Sequence, residues 1–283
     1  MCLYGLIGYP LSHSFSQRYF TEKFVNEGCV GYSYRNFPLN DIRDLHSLLE
    51  QQPDLRGFNV TIPYKEQIIP FLDEMDRIAE EIGAVNTVQV SRNGKKTNLK
   101  GYNTDVYGFA QSLEECFQVS GFGFHTRHCG LDPQSPKNKK IADQVRNDGV
   151  KQALVLGTGG ASKAVVCALS YLGIDAHLVS RREGQGVYKT YNQLTIDDIT
   201  AHLLIVNTTP LGMFPNTGEC PAIPYQYLTE KHLLYDLVYN PEETLFMRKG
   251  REMGAVAYNG ERMLHLQADK AWEIWKSAPT NRN

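Results

Sequence analysis

The sequence predicts an α/β protein whose strands are mostly parallel. Short apolar runs alternate with longer amphipathic segments along the 283 residues, and this alternation is typical of strand–helix–strand units. In addition, a glycine-rich turn at 157–160 stands between an apolar strand and a helical segment, as in dinucleotide-binding folds. The length suits one large domain or two ordinary ones, with a sizeable core.

Composition and charge exclude several classes of protein. Apolar residues make up 42% and charged residues 21%, and the formal net charge is -2, which is an ordinary globular balance. There is no basic stripe for nucleic acid and no polybasic run for an anionic membrane. The amino terminus lacks the pattern of a signal peptide, and no apolar stretch has the length of a membrane-spanning helix. Six scattered cysteines without a C-x-x-C pair indicate reduced thiols, so we predict a cytoplasmic protein.

Periodicity and turn residues predict the elements of the first 120 residues. Strands are expected over 3–8, 32–37 and 57–62, and a hairpin over 84–90 and 95–101 turns at Asn93-Gly94. Helices are expected from a Ser14 cap to 27, over 41–51, in pieces up to 82, and from a Thr104 cap to about 119.

Residues 121–149 break this pattern. The segment is rich in Gly, Pro, Asn and charge and has little apolar periodicity, so it predicts an inserted loop. His125, His128 and Cys129 within it suggest a metal site only weakly, because no fourth ligand lies nearby. We therefore predict no metal.

After the insertion the strand–helix alternation resumes. Strands are expected over 152–156, 176–180, 203–207 and 233–238, and helices over 161–172 and 260–276. The segment after 176–180 has no clear amphipathic pattern, so the second crossover is expected to lack its helix.

The glycine turn predicts a phosphate-binding site. Gly157, Gly159 and Gly160 permit a tight turn and let backbone N–H groups approach a pyrophosphate at a helix amino terminus. Ser162 occupies the third position of G-x-G-x-x-G, where a small residue still allows close packing of helix and strand. The alternative is a tight turn without a ligand.

The next strand end indicates which dinucleotide is bound. NAD sites usually carry an acid there to bind the ribose, whereas this chain has Ser180-Arg181-Arg182 and its first acid only at Glu183. A guanidinium can hold a 2′-phosphate through charge-assisted bonds. The alternative is a pair of solvated arginines, but the position after the strand favours NADP.

Polar clusters mark four other places, each beside a predicted strand end, where α/β folds gather ligand groups. They are Ser14 and Ser16; Asn59, Thr61 and Lys65; Asn86; and Asn103, Thr104 and Asp105. Singly, each fits a helix cap or a turn. Together they describe a polar pocket with one lysine and one carboxylate, suited to a polyhydroxylated acid and to proton transfer at a hydroxyl or ketone.

The order of these motifs resembles the shikimate dehydrogenase family. The chain contains H-S-x-S, N-V-T-x-P-x-K, G-A-V-N-T, N-T-D, G-x-G-G-A, V-N-T-T-P-L-G-M at 206–213, Y-D-x-V-Y-N-P at 235–241 and N-G-x-x-M-L-x-x-Q-A at 259–268. The resemblance implies the NADPH-dependent, reversible reduction of 3-dehydroshikimate to shikimate, a step toward chorismate and the aromatic amino acids.

The resemblance also implies roles for individual residues. Lys65 and Asp105 would be the catalytic pair. Substrate contacts would come from Ser14 and Ser16 at the carboxylate, and from Thr61, Asn86, Asp105, Tyr239 and Gln267. The cofactor would contact Gly157, Gly159, Gly160 and Ala161 at the pyrophosphate, Arg181 and Arg182 beside Ser180 at the adenosine 2′-phosphate, and Thr208, Met213, Val238 and Gly260 along the nicotinamide.

The resemblance further implies two domains separated by a cleft. The substrate-binding and catalytic domain would span 1–104 and be completed by the final helix, 260–283, and a Rossmann-like NADP domain would span 105–259 with the insertion 121–149. Gln17 and Ser180 replace the proline and asparagine usual in the family. A quinate/shikimate dehydrogenase of mixed specificity and a non-catalytic nucleotide-binding homologue are alternatives, and the protein would be a monomer or a homodimer that binds neither nucleic acid nor membrane.

Overall fold

A computed structural model describes residues 1–11, 15–94, 96–120 and 150–277. Ser14 and the predicted insertion 121–149 lie outside these ranges. The chain divides into two compact units, one formed by Met1–Thr104 with Ala268–Asn283 and the other by Asp105–Gln267. Each unit contains one six-stranded sheet with helices, which confirms the predicted α/β class.

The first unit is built on a mixed sheet. Its strands are β1 Cys2–Gly8, β2 Tyr32–Pro38, β3 Leu55–Val60, β4 Glu74–Met75, β5 Thr87–Asn93 and β6 Lys96–Tyr102, and its helices are α1 Phe15–Asn26, α2 Leu45–Gln51 and α3 Arg77–Ile82. The order across the sheet is β2-β1-β3-β5-β6-β4. Strands β1, β2 and β3 are parallel, whereas β5 runs antiparallel to both β3 and β6.

The carboxy-terminal part of the chain covers one face of this sheet. Trp272 and Trp275 are buried there among aromatic side chains of α1 and β2. Trp275 Nε1 donates to the Val88 carbonyl at 3.0 Å. A Cβ on Gly57 would lie 2.3 Å from Trp275 Nε1, so glycine is required where the indole crosses β3.

The second unit is a fully parallel sheet. Its elements are α4 Asp105–Ser120, β7 Gln152–Leu156, α5 Gly160–Tyr171, β8 Asp175–Ser180, β9 Val187–Thr190, α6 Ile196–Ala201, β10 Leu204–Asn207, β11 Leu233–Asp236, α7 Leu245–Glu252, β12 Val256–Tyr258 and α8 Glu261–Lys276, whose last residues belong to the first unit. The order β9-β8-β7-β10-β11-β12 is the 3-2-1-4-5-6 order of dinucleotide-binding sheets. The Rossmann-type prediction is therefore confirmed.

Short elements account for the differences from the sequence predictions. The elements β4, β9, β12, α6 and α7 were not predicted, β4 lying where helical pieces were expected, and the strand expected over 57–62 is found at Leu55–Val60. The segment between the strands predicted over 176–180 and 203–207 was expected to lack a helix, and this is wrong, because the short helix α6 lies within it, after the unpredicted strand β9. Within the described ranges, no helix has the length and apolar character needed to cross a bilayer.

Candidate active site

In the first unit, two chain segments meet at the carboxyl ends of β1 and β3. Thr61 follows β3 directly, and its N–H donates to the Ile7 carbonyl at 2.9 Å. A Cβ on Gly8 would lie 2.4 Å from Thr61 Cγ2, so glycine permits this close approach. Ser16 lies in the first turn of α1, whereas its predicted partner Ser14 is outside the described residues.

Lys65 and Asn86 are held at the same edge by backbone hydrogen bonds. Val85 N–H donates to the Lys65 carbonyl at 2.7 Å, and Val60 N–H donates to the Asn86 carbonyl at 2.8 Å. Lys65 is half-buried. The structure thus brings Asn86, which is distant in sequence, to a position beside β3 near Thr61 and Lys65.

The Asn86 side chain is buried and firmly bonded. Its Oδ1 accepts from Thr104 N–H at 2.8 Å and from Thr87 Oγ1 at 3.1 Å, and its Nδ2 donates to Thr104 Oγ1 at 3.0 Å. A buried amide with such partners has one preferred orientation.

In the second unit, the glycine turn has the geometry of a phosphate cradle. Gly157 has a φ of +109°, and a Cβ on it would lie 2.8 Å from Thr208 Oγ1. Apart from the chain neighbours of each glycine and the backbone of α5, no atom of the described residues lies within 4 Å of a Cβ built on Gly159 or Gly160, so the backbone at the start of α5 is open to a ligand from these residues' side. Ala161 lies in the same first turn. These residues fit a pyrophosphate at a helix amino terminus.

Ser162 fits the position that a glycine usually holds in this motif. Its side chain is buried, and its Oγ donates to the Gly159 carbonyl at 2.6 Å. The Ser162 hydroxyl therefore has its hydrogen-bond partner within the turn. Serine in place of the third glycine of G-x-G-x-x-G thus leaves the turn intact.

The end of β8 carries positive charge in place of an acid. Ser180 is the last residue of the strand, and Arg181 and Arg182 follow it with exposed side chains. Arg181 lies near the Tyr191 phenol: burial raises the pKa of Tyr191 to about 12, and the Arg181 charge opposes that rise. Glu183, the first acid after the strand, accepts from Gln193 at 2.9 Å.

The predicted nicotinamide residues lie on the loops that follow β10, β11 and β12. Thr208 Oγ1 donates to the Leu156 carbonyl at 2.7 Å, next to the glycine turn. Gly260 N–H donates to the Val238 carbonyl at 3.2 Å, and Met213 is exposed. Hydrogen bonds thus tie Thr208 to the glycine turn and Gly260 to Val238 at the carboxyl edge of the sheet.

Two buried side chains that the sequence did not predict hold the loops after β10 and β11 through hydrogen bonds. Asn207 and Asp236 are paired across β10 and β11, and both are fully buried. Asp236 accepts from Asn207 Nδ2 at 2.9 Å, Val238 N–H at 3.0 Å and Thr244 Oγ1 at 2.6 Å. Asn207 Oδ1 in turn accepts from Thr209 N–H at 3.0 Å. Both residues lie within motifs visible in the sequence, but no role followed from the motifs.

Asp236 predicts a measurable pH dependence of stability. Burial raises the pKa of its carboxyl from 3.8 to about 6 despite three hydrogen-bond donors. The folded state therefore binds more protons than the unfolded state between these pH values, and stability falls as pH rises through that window. Asn at position 236 does not titrate. Urea unfolding should show that the free energy of unfolding of wild type relative to Asp236→Asn falls by about 2 kcal/mol between about pH 4.5 and 7.5. A pH-independent difference would contradict this.

The remaining predicted residues also belong to the second unit. Asp105 is the first residue of α4 and is buried, and Tyr239 is exposed in the loop after β11. A Cβ on Gly108 would lie 3.0 Å from Gln267 Cβ, so α4 and α8 approach closely one turn after Asp105. Lys65 belongs to the other unit, so its pairing with Asp105 stays a prediction.

The candidate metal ligands of the insertion, His125, His128 and Cys129, lie outside the described residues. Among the residues that the structure describes, no group of three or more His, Cys, Asp or Glu side chains is arranged to hold a metal ion.

The parallel sheet and its glycine turn define a dinucleotide-binding protein, and comparisons with known proteins identify the family. Residues 6–88 match the family model described as "Shikimate dehydrogenase substrate binding domain". Shikimate dehydrogenase (NADP(+)) of Halothermothrix orenii is 36% identical, over 96% of this chain and 89% of that protein. The chain belongs to the shikimate dehydrogenase family.

Solved structures of two relatives have the same fold. Shikimate 5-dehydrogenase of Thermus thermophilus, in complex with NADP(H) and shikimate, is 27% identical with a TM-score of 0.74, covering 97% of this chain and 93% of that chain. Quinate dehydrogenase of Corynebacterium glutamicum, in complex with NAD, is 25% identical with a TM-score of 0.75, covering 97% of this chain and 93% of that chain. Since enzymes of both names share the fold, substrate and cofactor preference must be argued from individual residues.

Proposed function

We propose that this protein catalyses the NADPH-dependent, reversible reduction of 3-dehydroshikimate to shikimate. The observation that carries the proposal is the cluster of Thr61, Lys65 and Asn86 at one sheet edge, in a chain whose other unit is a dinucleotide-binding domain. Membership of the shikimate dehydrogenase family supports the same reaction.

In the proposed reaction, bound NADPH supplies a hydride to the ketone carbon of the substrate. The residues of the chain would bind the ketone and stabilise the negative charge that develops on its oxygen. Lys65 would stabilise that oxygen through its ammonium charge, and Lys65 or Asp105 would deliver the proton that completes the hydroxyl. In the reverse direction, the same group accepts the hydroxyl proton.

The proposed substrate contacts are hydrogen bonds from both units. Ser14 and Ser16 would bind the carboxylate, and Thr61, Asn86, Asp105, Tyr239 and Gln267 would contact the remainder of the substrate. Hydroxyl and amide groups suit a polyhydroxylated ring because each substrate hydroxyl both donates and accepts. Two small serines favour shikimate over quinate.

The proposed cofactor is NADP(H). Its pyrophosphate would lie on Gly157, Gly159, Gly160 and Ala161, whose backbone is accessible at the start of α5. Arg181 and Arg182, beside Ser180, would bind the 2′-phosphate. Thr208, Met213, Val238 and Gly260 would line the nicotinamide.

Initial-rate measurements with two substrates and two cofactors test this proposal. We expect reduced cofactor to form from shikimate with NADP⁺, and kcat/KM to be at least about tenfold lower when quinate or NAD⁺ is substituted. NAD⁺ lacks the 2′-phosphate, and quinate has a saturated ring with an additional hydroxyl that the site would have to accommodate. Equal rates on quinate would support the mixed-specificity alternative, and no turnover of shikimate with either cofactor would contradict the proposal.

We further propose that the reaction takes place in the cytoplasm. The cysteines Cys2, Cys29, Cys116, Cys167 and Cys220 are free thiols, as is usual in a reducing compartment. The protein would act as a monomer or a homodimer, which sedimentation would distinguish.

A further inference from the structure

A row of buried and half-buried polar side chains is hydrogen-bonded to Asn86, a proposed substrate ligand of the first unit. Tyr34, Asn59 and Thr87 belong to strands β2, β3 and β5 of one sheet. Tyr34 and Thr87 are only 4% and 0% exposed. Buried polar groups cost free energy unless they are hydrogen-bonded, so the partners of these three side chains determine whether the row is stable.

The hydrogen bonds of the row form a continuous chain. The Tyr34 hydroxyl donates to Asn59 Oδ1 at 2.8 Å. Asn59 Nδ2 donates to Thr87 Oγ1 at 3.1 Å and to the Asn86 carbonyl at 3.4 Å. Thr87 Oγ1 then donates to Asn86 Oδ1 at 3.1 Å.

Each member of this chain has one orientation. The Asn86 carbonyl can only accept, so the Asn59 amide must present its nitrogen to it and its oxygen to Tyr34. Because Thr87 Oγ1 accepts from that nitrogen, its own proton is available for Asn86 Oδ1. The Tyr34 ring is itself fixed, since it stacks on Phe20 with centroids 4.7 Å apart.

The row ends at a proposed substrate ligand, Asn86. At its other end, burial raises the pKa of the Tyr34 phenol well above its ordinary value, and the Ser16 hydroxyl opposes that rise only in part. Tyr34 therefore stays protonated and remains a donor. At the Asn86 end, the amide Oδ1 is held by both Thr87 and Thr104, so the amide cannot turn over without losing two donors.

We propose that Tyr34, Asn59 and Thr87 form a positioning relay that fixes the Asn86 amide. The inference rests on the proposed function, in which Asn86 contacts a small polyhydroxylated acid. The relay would hold this contact in place before the substrate arrives, and such preorganisation lowers the cost of binding.

Removal of a single oxygen tests the relay at its far end. In Tyr34→Phe, the half-buried Asn59 Oδ1 loses its donor, so one of the hydrogen bonds that hold the Asn59 amide is lost. We expect KM for shikimate to rise about tenfold, the usual effect of losing one net favourable hydrogen bond. We expect kcat and KM for NADP⁺ to stay within about twofold, because the hydrogen bonds described for Tyr34, Asn59 and Thr87 run to one another and to Asn86 and Thr104. An unchanged KM for shikimate would overturn the proposal.

Thr87 supplies a matched pair of variants at the middle of the relay. Thr87→Val removes the hydroxyl with little change of shape and should raise KM for shikimate, whereas Thr87→Ser keeps the hydroxyl and should restore a KM near the wild-type value. If Thr87→Ser raises KM as much as Thr87→Val, packing rather than hydrogen bonding is responsible and the relay is wrong.

The double variant Tyr34→Phe/Thr87→Val tests whether the two residues act through one chain. A shared relay predicts that its KM for shikimate is no higher than that of the more affected single variant. Independent contributions would instead multiply, and that outcome would contradict the relay.

Two further variants separate the relay from stability and from the proposed function. Tyr64→Phe removes another buried phenol of the same unit, which donates to the Leu39 carbonyl at 2.7 Å, and should lower thermal stability without changing KM for shikimate. Asn86→Ala tests the ligand itself. If Asn86→Ala leaves KM unchanged, the proposed substrate role of Asn86 fails; if it raises KM and Tyr34→Phe does not, only the relay fails.

Discussion

The Lys65→Ala variant is expected to lose about a hundred- to ten-thousand-fold in kcat, the range that a general acid–base group usually contributes. Truncation removes the ammonium group that would meet the developing alkoxide, whereas the backbone bond from Val85 N–H to the residue 65 carbonyl does not depend on the side chain. The strand end should therefore keep its shape. Steady-state kinetics with shikimate and NADP⁺ should show a steep fall in kcat and a much smaller change in KM.

Lys100→Ala is a matched control for the loss of one positive charge from the same unit. Lys100 lies on β6 and pairs with Glu74 at 3.3 Å, partly exposed, so its removal should leave kcat unchanged. Near-normal turnover in Lys65→Ala would contradict the catalytic role of Lys65. Equal losses in both variants would indicate a general electrostatic effect.

The Arg181→Ala variant is expected to raise KM for NADP⁺ by about 10- to 100-fold, because charge-assisted hydrogen bonds to the 2′-phosphate would be lost. NAD⁺ has no 2′-phosphate, so KM for NAD⁺ should change little in the same variant. The cofactor preference, measured as the ratio of kcat/KM values, should thus shift toward NAD⁺.

Arg248→Ala is the control for this experiment. Arg248 is an exposed arginine of the same unit, on α7, and it pairs with Glu243 at 3.6 Å. It should leave both KM values unchanged. Equal weakening of NADP⁺ and NAD⁺ by Arg181→Ala would mean that Arg181 supports the loop rather than reading the phosphate.

The parts of the fold that the sequence predicts are those with long apolar patterns. The strands of the parallel sheet core are fully buried and read as apolar runs, as at β7 and β10. Helix α7 was missed because its eight residues include a glycine and three basic residues, although Phe246, Met247 and Gly250 face the core. A Cβ on Gly250 would lie 2.5 Å from Leu234 Cδ2, so close packing, not helix propensity, selects that glycine.

The sequence predicts those residues of the candidate site that are polar and lie directly beside strand ends. Lys65, Asn86 and Asp105 lie beside strand ends in the sequence, and each belongs to a motif that predicts a polar site. The Tyr34 relay was not predictable, because Tyr34 lies in the middle of a strand and its partner Asn59 is 25 residues away in sequence. Asp236 was missed for a related reason, since its importance comes from the three donors that folding gathers around it.

The most direct test of the proposed reaction is to mix the wild-type protein with 3-dehydroshikimate and NADPH and follow the near-ultraviolet absorbance of NADPH. We expect the absorbance to fall with one equivalent of shikimate formed per NADPH consumed, identified by mass spectrometry. Loss of NADPH without shikimate, or no loss of NADPH in a folded protein, would contradict the proposed function.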